Sequence, residues 1–208
     1  MKKNPGSAFS RPRAIPPGAG RSGAAGPTGP RGSIREEYER WGARPYYATR
    51  GKEYRNPHEP AIQHLLAQAL AEWPLNHSHV LDLACGSGEV TLALEALGAG
   101  AVTGIDPFTH RAYQQRTGRA AEQFAFEDIA TGALAGRRYS LIVCSFALHL
   151  LAPSRLPGVL TQLALIAPDL LILTPHKRPE ILSTWGWLWR DERSHARVKA
   201  RWYCGDRQ

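Results

Sequence analysis

The chain has 208 residues, a mass of 22.9 kDa, a formal charge of +8 and three cysteines. That length suits one sizeable core. Cys85, Cys144 and Cys204 lack the paired spacing of a zinc site or a disulfide framework, and no stretch approaches the ~18 apolar residues of a membrane span.

Charge is unevenly spread. Residues 1–33 hold Lys2, Lys3, Arg11, Arg13, Arg21 and Arg31 and no acid, which is +6 of the +8 and leaves +2 for the rest. The high overall charge therefore describes this tail and gives no reason to expect a basic nucleic-acid groove in the core. Rich in Gly, Pro, Ser and Ala and without hydrophobic pattern, the tail is expected to be disordered. It reads as a solvated extension, with an organelle transit peptide or a polyanion-binding arm as the functional alternatives. No apolar run near the N-terminus marks a secretory signal, so the default location is intracellular and cytoplasmic, with organelle import as the other reading.

Residues 34–75 are expected to form an N-terminal helical segment. It contains Tyr46-Tyr47 and the run from Gly51 to His58, whose Tyr54, Arg55 and His58 suit stacking and hydrogen bonding over a polar ligand. Ile62, Leu65, Leu66, Ala69, Leu70 and Trp73 then fall at helical spacing, with Pro60 tolerated in the first turn and Pro74 as a stop. From residue 76 to 208 the pattern alternates. Strands are expected at 80–84, 101–105, 123–126, 139–145 and 170–173, and helices at 89–97 (closed by Gly98), 110–116 and 157–167. Residues 185–189 and 196–203 read as a final antiparallel pair, separated by a charged turn at 190–195, with Val198, Ala200 and Trp202 on one face. The fold class is α/β: a doubly wound, Rossmann-like, mostly parallel sheet with a reversed last strand, in a three-layer sandwich.

Two phrases carry the chemistry. Val80-Leu81-Asp82-Leu83-Ala84-Cys85-Gly86-Ser87-Gly88 is an apolar strand entering a Gly-x-Gly turn, and Val102-Thr103-Gly104-Ile105-Asp106-Pro107 is a second strand ending on a carboxylate, 18 residues after Gly88. Such a pair grips an adenosine-containing ligand in an open α/β sheet. A dinucleotide fingerprint needs a third glycine where Thr91 stands, which argues against a nicotinamide-dependent dehydrogenase.

Asp82 with Gly86 and Gly88, followed by Ile105-Asp106-Pro107, resembles motifs I and II of class I S-adenosylmethionine-dependent methyltransferases. The resemblance covers roughly residues 60–203 and implies S-adenosyl-L-methionine as cofactor. It places Ala84, Gly86, Ser87 and Gly88 around the methionine part. Asp82 either reaches the cofactor's ammonium or holds the loop's own amides. Asp106 is the ribose acceptor, with a helix N-cap as its structural alternative, and Pro107 and Phe108 flank the adenine. Phe126-Glu127-Asp128 supplies two acids, and the resemblance alone selects Asp128, with Ile129, as motif III, the acid receiving the adenine amino group and the apolar residue packing on the ring. Ser145 and Phe146 correspond to motif IV at the methyl-bearing end. In many members of the family the N-terminal segment folds over the cofactor as a lid, which implies that role for Tyr54 and Arg55 in the segment 34–75, with anchoring of its tyrosines on the sheet as the structural alternative.

The implied activity is methyl transfer by in-line displacement to an unidentified O or N acceptor, a small molecule or protein, with RNA a further option. His149 and His176, at two strand ends, are the candidate bases. Lys177 and Arg178 suit an acidic acceptor or a solvated loop. The chain lacks the Asn-Pro-Pro-Tyr run of amino-directed enzymes, the proline-preceded cysteine of cytosine methylation and the Lys-Asp-Lys-Glu set of RNA ribose enzymes. The alternative reading is a non-catalytic methyltransferase-like module bound to RNA or a ribonucleoprotein.

Overall fold

The computed structural model describes residues 55–206. The tail, residues 34–54 of the lid segment and with them Tyr54 lie outside the described residues. Helix α1 runs Glu59–Glu72, with Pro60 in its first turn and its buried face made by Ala61, Ile62, Leu65, Leu66 and Ala69. There follow β1 (His79–Leu83), α2 (Glu89–Ala96), β2 (Ala101–Ile105), α3 (His110–Thr117), α4 (Phe126–Ala130), β3 (Leu141–Ser145), α5 (Leu156–Ala164), β4 (Asp169–Thr174), β5 (Trp187–His195) and β6 (Val198–Gly205).

The six strands form one sheet in the order β2-β1-β3-β4-β6-β5. β2, β1, β3 and β4 are mutually parallel, whereas β6 runs antiparallel to both β4 and β5. Side chains alternate between two cores, as the pleat requires. Val80, Leu141, Val143, Leu171, Leu173, Val198 and Ala200 face α1 and α2. Leu81, Leu83, Ile142, Cys144, Leu170, Ile172 and Tyr203 face α4 and α5. Three layers result, and the near-continuous apolar strands reflect a sheet covered on both sides.

Two expectations need correcting. No strand forms at 123–126. The chain touches the β2 edge through a single parallel bridge, Ile105 to Glu122, and then turns into α4. The Asp128 carboxylate accepts the Ala125 N–H at 2.8 Å and starts that helix, while Arg137 binds the Glu122 carboxylate through two bonds of 2.7 and 2.8 Å. The second correction concerns 190–195, which is strand rather than turn. Its charges are those of an edge strand with partners on neighbouring elements. Asp191 accepts from Trp73 Nε1 at 3.0 Å, Arg193 reaches Glu72 at 2.6 Å, and Glu192 binds Lys199 and Arg201. The turn is instead Ala196-Arg197, both left-handed (φ 47° and 66°), a two-residue hairpin built without glycine or asparagine.

Helix 157–167 begins one residue earlier than expected and ends at Ala164. Among the described residues no helix is long and apolar enough to cross a membrane.

Candidate active site

In doubly wound sheets ligands lie beyond the carboxyl ends of the strands, where strand order reverses. Here that point is β1, with β2 on one side and β3 on the other. β1 leaves the sheet through Ala84, Gly86 and Gly88, all left-handed (φ 58°, 57° and 91°). Glycine is demanded at 88: a Cβ there would lie 2.5 Å from Thr117 Cγ2.

Asp106 joins the two phrases. Its Oδ2 accepts the Gly86 N–H at 3.3 Å, and its Oδ1 accepts the N–H groups of Phe108 and Thr109 at 2.8 and 2.9 Å. The carboxylate therefore caps the turn before α3 and also reaches the glycine loop. At 3.3 Å the contact to Gly86 is long and weak, so Oδ2 retains accepting capacity.

Where a dinucleotide fold would have its third glycine, Thr91 builds a buried polar chain. Asp82 Oδ2 accepts from Thr91 N–H at 3.1 Å and from Thr91 Oγ1 at 2.7 Å, and Thr91 Oγ1 lies 3.1 Å from the Tyr113 hydroxyl. Asp82 is fully buried. Burial pushes its carboxyl up to about 7; the Thr91 bonds work against that rise, and the Glu89 and Asp106 charges add to it. Burial likewise raises Cys85 and pushes Cys144 up to about 12, so both are neutral thiols rather than nucleophiles.

A small cleft is lined by Asp82, Ala84, Gly86 and Ser145 together with Asn56, Cys85 and Glu89. Asn56 and Glu89 escaped the sequence reading. Glu89 is 4% exposed, and one of its oxygens, Oε1, accepts from Asn56 N–H at 2.9 Å and from Ser87 Oγ at 2.5 Å, with Arg116 at 3.4 Å. It ties the residue before α1 to the glycine loop. A glutamate in a first helical turn ordinarily reads as a solvated charge complementing the dipole, and nothing local distinguished this one. His58 stacks on Phe146, ring centroids 4.9 Å apart, so the entry to α1 lies against the turn after β3.

The other expected residues are placed as follows. Gly88 is buried, Ser87 turns its hydroxyl to Glu89, and Pro107 is half-buried beside Asp106. Asp128 is exposed at the start of α4, while Ile129 beside it is 1% exposed in the core with Leu134 and Leu156. Arg55 is exposed. His149, in the short turn Leu148–Leu150 after β3, and His176, after β4, come together with ring centroids 4.7 Å apart.

The family model of the methyltransferase domain matches residues 53–202. The chain belongs to the class I S-adenosylmethionine-dependent methyltransferases. An uncharacterised protein of Schizosaccharomyces pombe is 36% identical over 197 residues, covering 74% of this chain and 79% of that one. Among solved structures, magnesium protoporphyrin IX methyltransferase of Synechocystis with bound S-adenosylmethionine shares 16% identity at a TM-score of 0.56, over 83% of this chain and 95% of that one. Ribosomal protein L11 methylase of Lactobacillus delbrueckii subsp. bulgaricus shares 18% at 0.55, over 74% and 81%. At these identities the two structures show the fold alone.

The methyltransferase's own cleft fits the family's cofactor. Asp82 Oδ1 and Ser145 Oγ are buried polar atoms without a hydrogen-bond partner, and both residues line the same space. Such atoms are rare in folded proteins because each forfeits its hydration. An ammonium would supply what a buried carboxylate oxygen lacks, and an amino or carboxylate group would serve the hydroxyl.

Proposed function

We propose that this methyltransferase alkylates an oxygen or nitrogen on a small molecule or protein and uses the His149–His176 pair to receive the acceptor's proton. When bound, S-adenosylmethionine supplies a methyl group already activated on a sulfonium, so the residues of the chain bind, orient and move a proton. Asp82 and Ser145 would hold the amino-acid end, the glycine loop at 86–88 would lie against its carboxylate, and Asp106 would hold the ribose hydroxyls. Asp128, exposed beyond β2, is assigned to the adenine amino group. Asn56, fixed by Glu89, walls the cleft on the side of α1.

The observation that carries the acceptor side is the meeting of His149 and His176 at the ends of β3 and β4. Imidazole is the side chain best suited to taking up a proton near neutral pH. With two rings in contact, a second imidazole can stabilise the first once it is charged, or pass its proton to solvent.

The test is transfer of tritiated methyl from S-adenosylmethionine into cell extract fractionated as small molecules, protein and RNA. Wild-type protein should label one fraction, and His149→Ala and His176→Ala should reduce that label strongly while binding the cofactor normally by calorimetry. Unchanged labelling by both variants would refute the acceptor-side assignment; label confined to RNA would refute the substrate class.

A further inference from the structure

A guanidinium is tolerated out of water only where its N–H groups find acceptors. Arg201, on β6, is 8% exposed and sits opposite Ile172 of β4 and Glu192 of β5. Its Nε donates to Glu192 Oε2 at 2.8 Å. Its Nη1 leaves the sheet and donates to two main-chain carbonyls, Lys177 at 2.7 Å and Pro179 at 3.3 Å. Lys199 shares Glu192, so the hairpin's ion pair would persist without Arg201.

The segment reached by Nη1 carries His176. Thr174, the last residue of β4, completes the hold: its hydroxyl accepts the His176 N–H at 3.2 Å and donates to the Arg178 carbonyl at 3.3 Å. The N–H of residue 176 and the carbonyls of 177, 178 and 179 are thus all bound by two side chains of the sheet. His176, Lys177 and Arg178 are exposed and only Pro179 at the end of the segment is buried, so the stretch that carries His176 is fixed chiefly through its backbone. Its backbone is held from beneath, and the exposed His176 ring is set against His149.

We infer that Arg201 is a positioning residue, fixing the loop after β4 so that His176 meets His149. This rests on the histidine-pair reading above. Arg201 is not among the residues lining the cleft and acts through the carbonyls that follow His176. A planar fork suits two divergent carbonyls and a carboxylate, which a lysine ammonium meets less well.

The experiment uses the full chain and its Arg201→Met, Arg201→Lys and Thr174→Val variants, with histidine ring protons assigned by NMR. Wild type should show a nuclear Overhauser cross-peak between the His149 and His176 rings. Arg201→Met should lose it, and methyl incorporation into cell extract should fall at least ~10-fold, because small misplacements of reacting groups are that costly. Cofactor affinity should stay within ~2-fold, since distant independent sites do not couple. Arg201→Lys should recover part of the cross-peak. Thr174→Val, which loosens the same loop without touching the buried cation, should weaken it and serves if Arg201→Met fails to fold. A full cross-peak in folded Arg201→Met, or in Thr174→Val if the former does not fold, overturns the inference. Normal incorporation by His149→Ala and His176→Ala sinks the histidine reading instead, whatever the cross-peak does.

Discussion

Asp82→Asn should make the methyltransferase more stable and worse at binding its cofactor. The wild-type carboxyl is fully buried, has an oxygen without a partner and is displaced from 3.8 to about 7, chiefly by burial. Because the folded value is raised, the unfolded chain releases the proton first. The stabilising contribution is complete below 3.8 and is lost as pH rises through 7. At about 1.4 kcal/mol per pH unit, the whole loss from 3.8 to 7 is about 4 kcal/mol. An amide never ionises. Its advantage should grow by about 2.5 kcal/mol between about pH 5 and about pH 8, offset by ~1 kcal/mol for weaker bonds to Thr91. With roughly 2–4 °C per kcal/mol at this size, the Tm difference should widen by about 5–10 °C across that range. Differential scanning calorimetry of both proteins against pH measures it. Calorimetric titration at the alkaline end should show S-adenosylmethionine and S-adenosylhomocysteine bound about 10- to 100-fold more weakly, the worth of a charged hydrogen bond. A Tm difference flat with pH, or undiminished affinity, would refute the reasoning.

Asp106→Ala should abolish cofactor binding in calorimetry and loosen the start of α3, because one carboxylate serves Gly86, Phe108 and Thr109. Gly88→Ala should lower stability by about 3 kcal/mol, from left-handed strain plus overpacking against Thr117. Gly98→Ala, equally left-handed but with nothing within 4 Å, should cost only about 1–2 kcal/mol; equal losses in urea melts would show that the Thr117 contact is irrelevant. Glu89→Ala strips the acceptor from Asn56, Ser87 and Arg116, and should cost about 2–4 kcal/mol. Hydrogen exchange at the Asn56 amide should then accelerate more than exchange at the core of β3. Replacing Ala196-Arg197 by Asn-Gly should stabilise by about 1–2 kcal/mol, and an unchanged or lower Tm would contradict the turn geometry.

The parallel half of the sheet was legible because its strands are mostly apolar runs between turn signals. β2 falls on the expected 101–105, and the approach of Asp106 to Gly86 was implicit in two strand ends that pair in parallel. The antiparallel end was harder to read. Arg190, Asp191, Glu192 and Arg193 look like a loop, since an edge strand whose charges bind neighbouring elements differs little in composition from a turn. Ala196-Arg197 carries no turn residue at all, the twist of the hairpin imposing left-handed geometry on ordinary side chains. In the site, glycines and strand-end acids betray themselves by spacing. Glu89 and Arg201 do not, because their importance lies in carbonyls and amides brought near by the fold.

The proposed site divides by strand. Its cofactor side grows from β1 and β2, joined by Ser145 at the end of β3; there Asp82, Thr91 and Tyr113 are buried in one polar chain and Gly88 tolerates no Cβ. Its acceptor side grows from β3, β4 and β6, where His149 and His176 sit in turns held through main-chain atoms. A carbonyl clamp is indifferent to the side chains it carries, so the residues at 175–178 can change without disturbing the loop's path. A buried carboxylate chain allows no such freedom, since any replacement alters a charge in low dielectric. Substitutions in the loop after β4 should therefore redirect the acceptor while leaving cofactor affinity intact, whereas no single change around Asp82 should alter one without the other. Exchanging Lys177 and Arg178 for glutamate together, then measuring both cofactor affinity and the labelled fraction, tests that separation. A drop in cofactor affinity comparable to that of Asp82→Asn would show the two halves to be one.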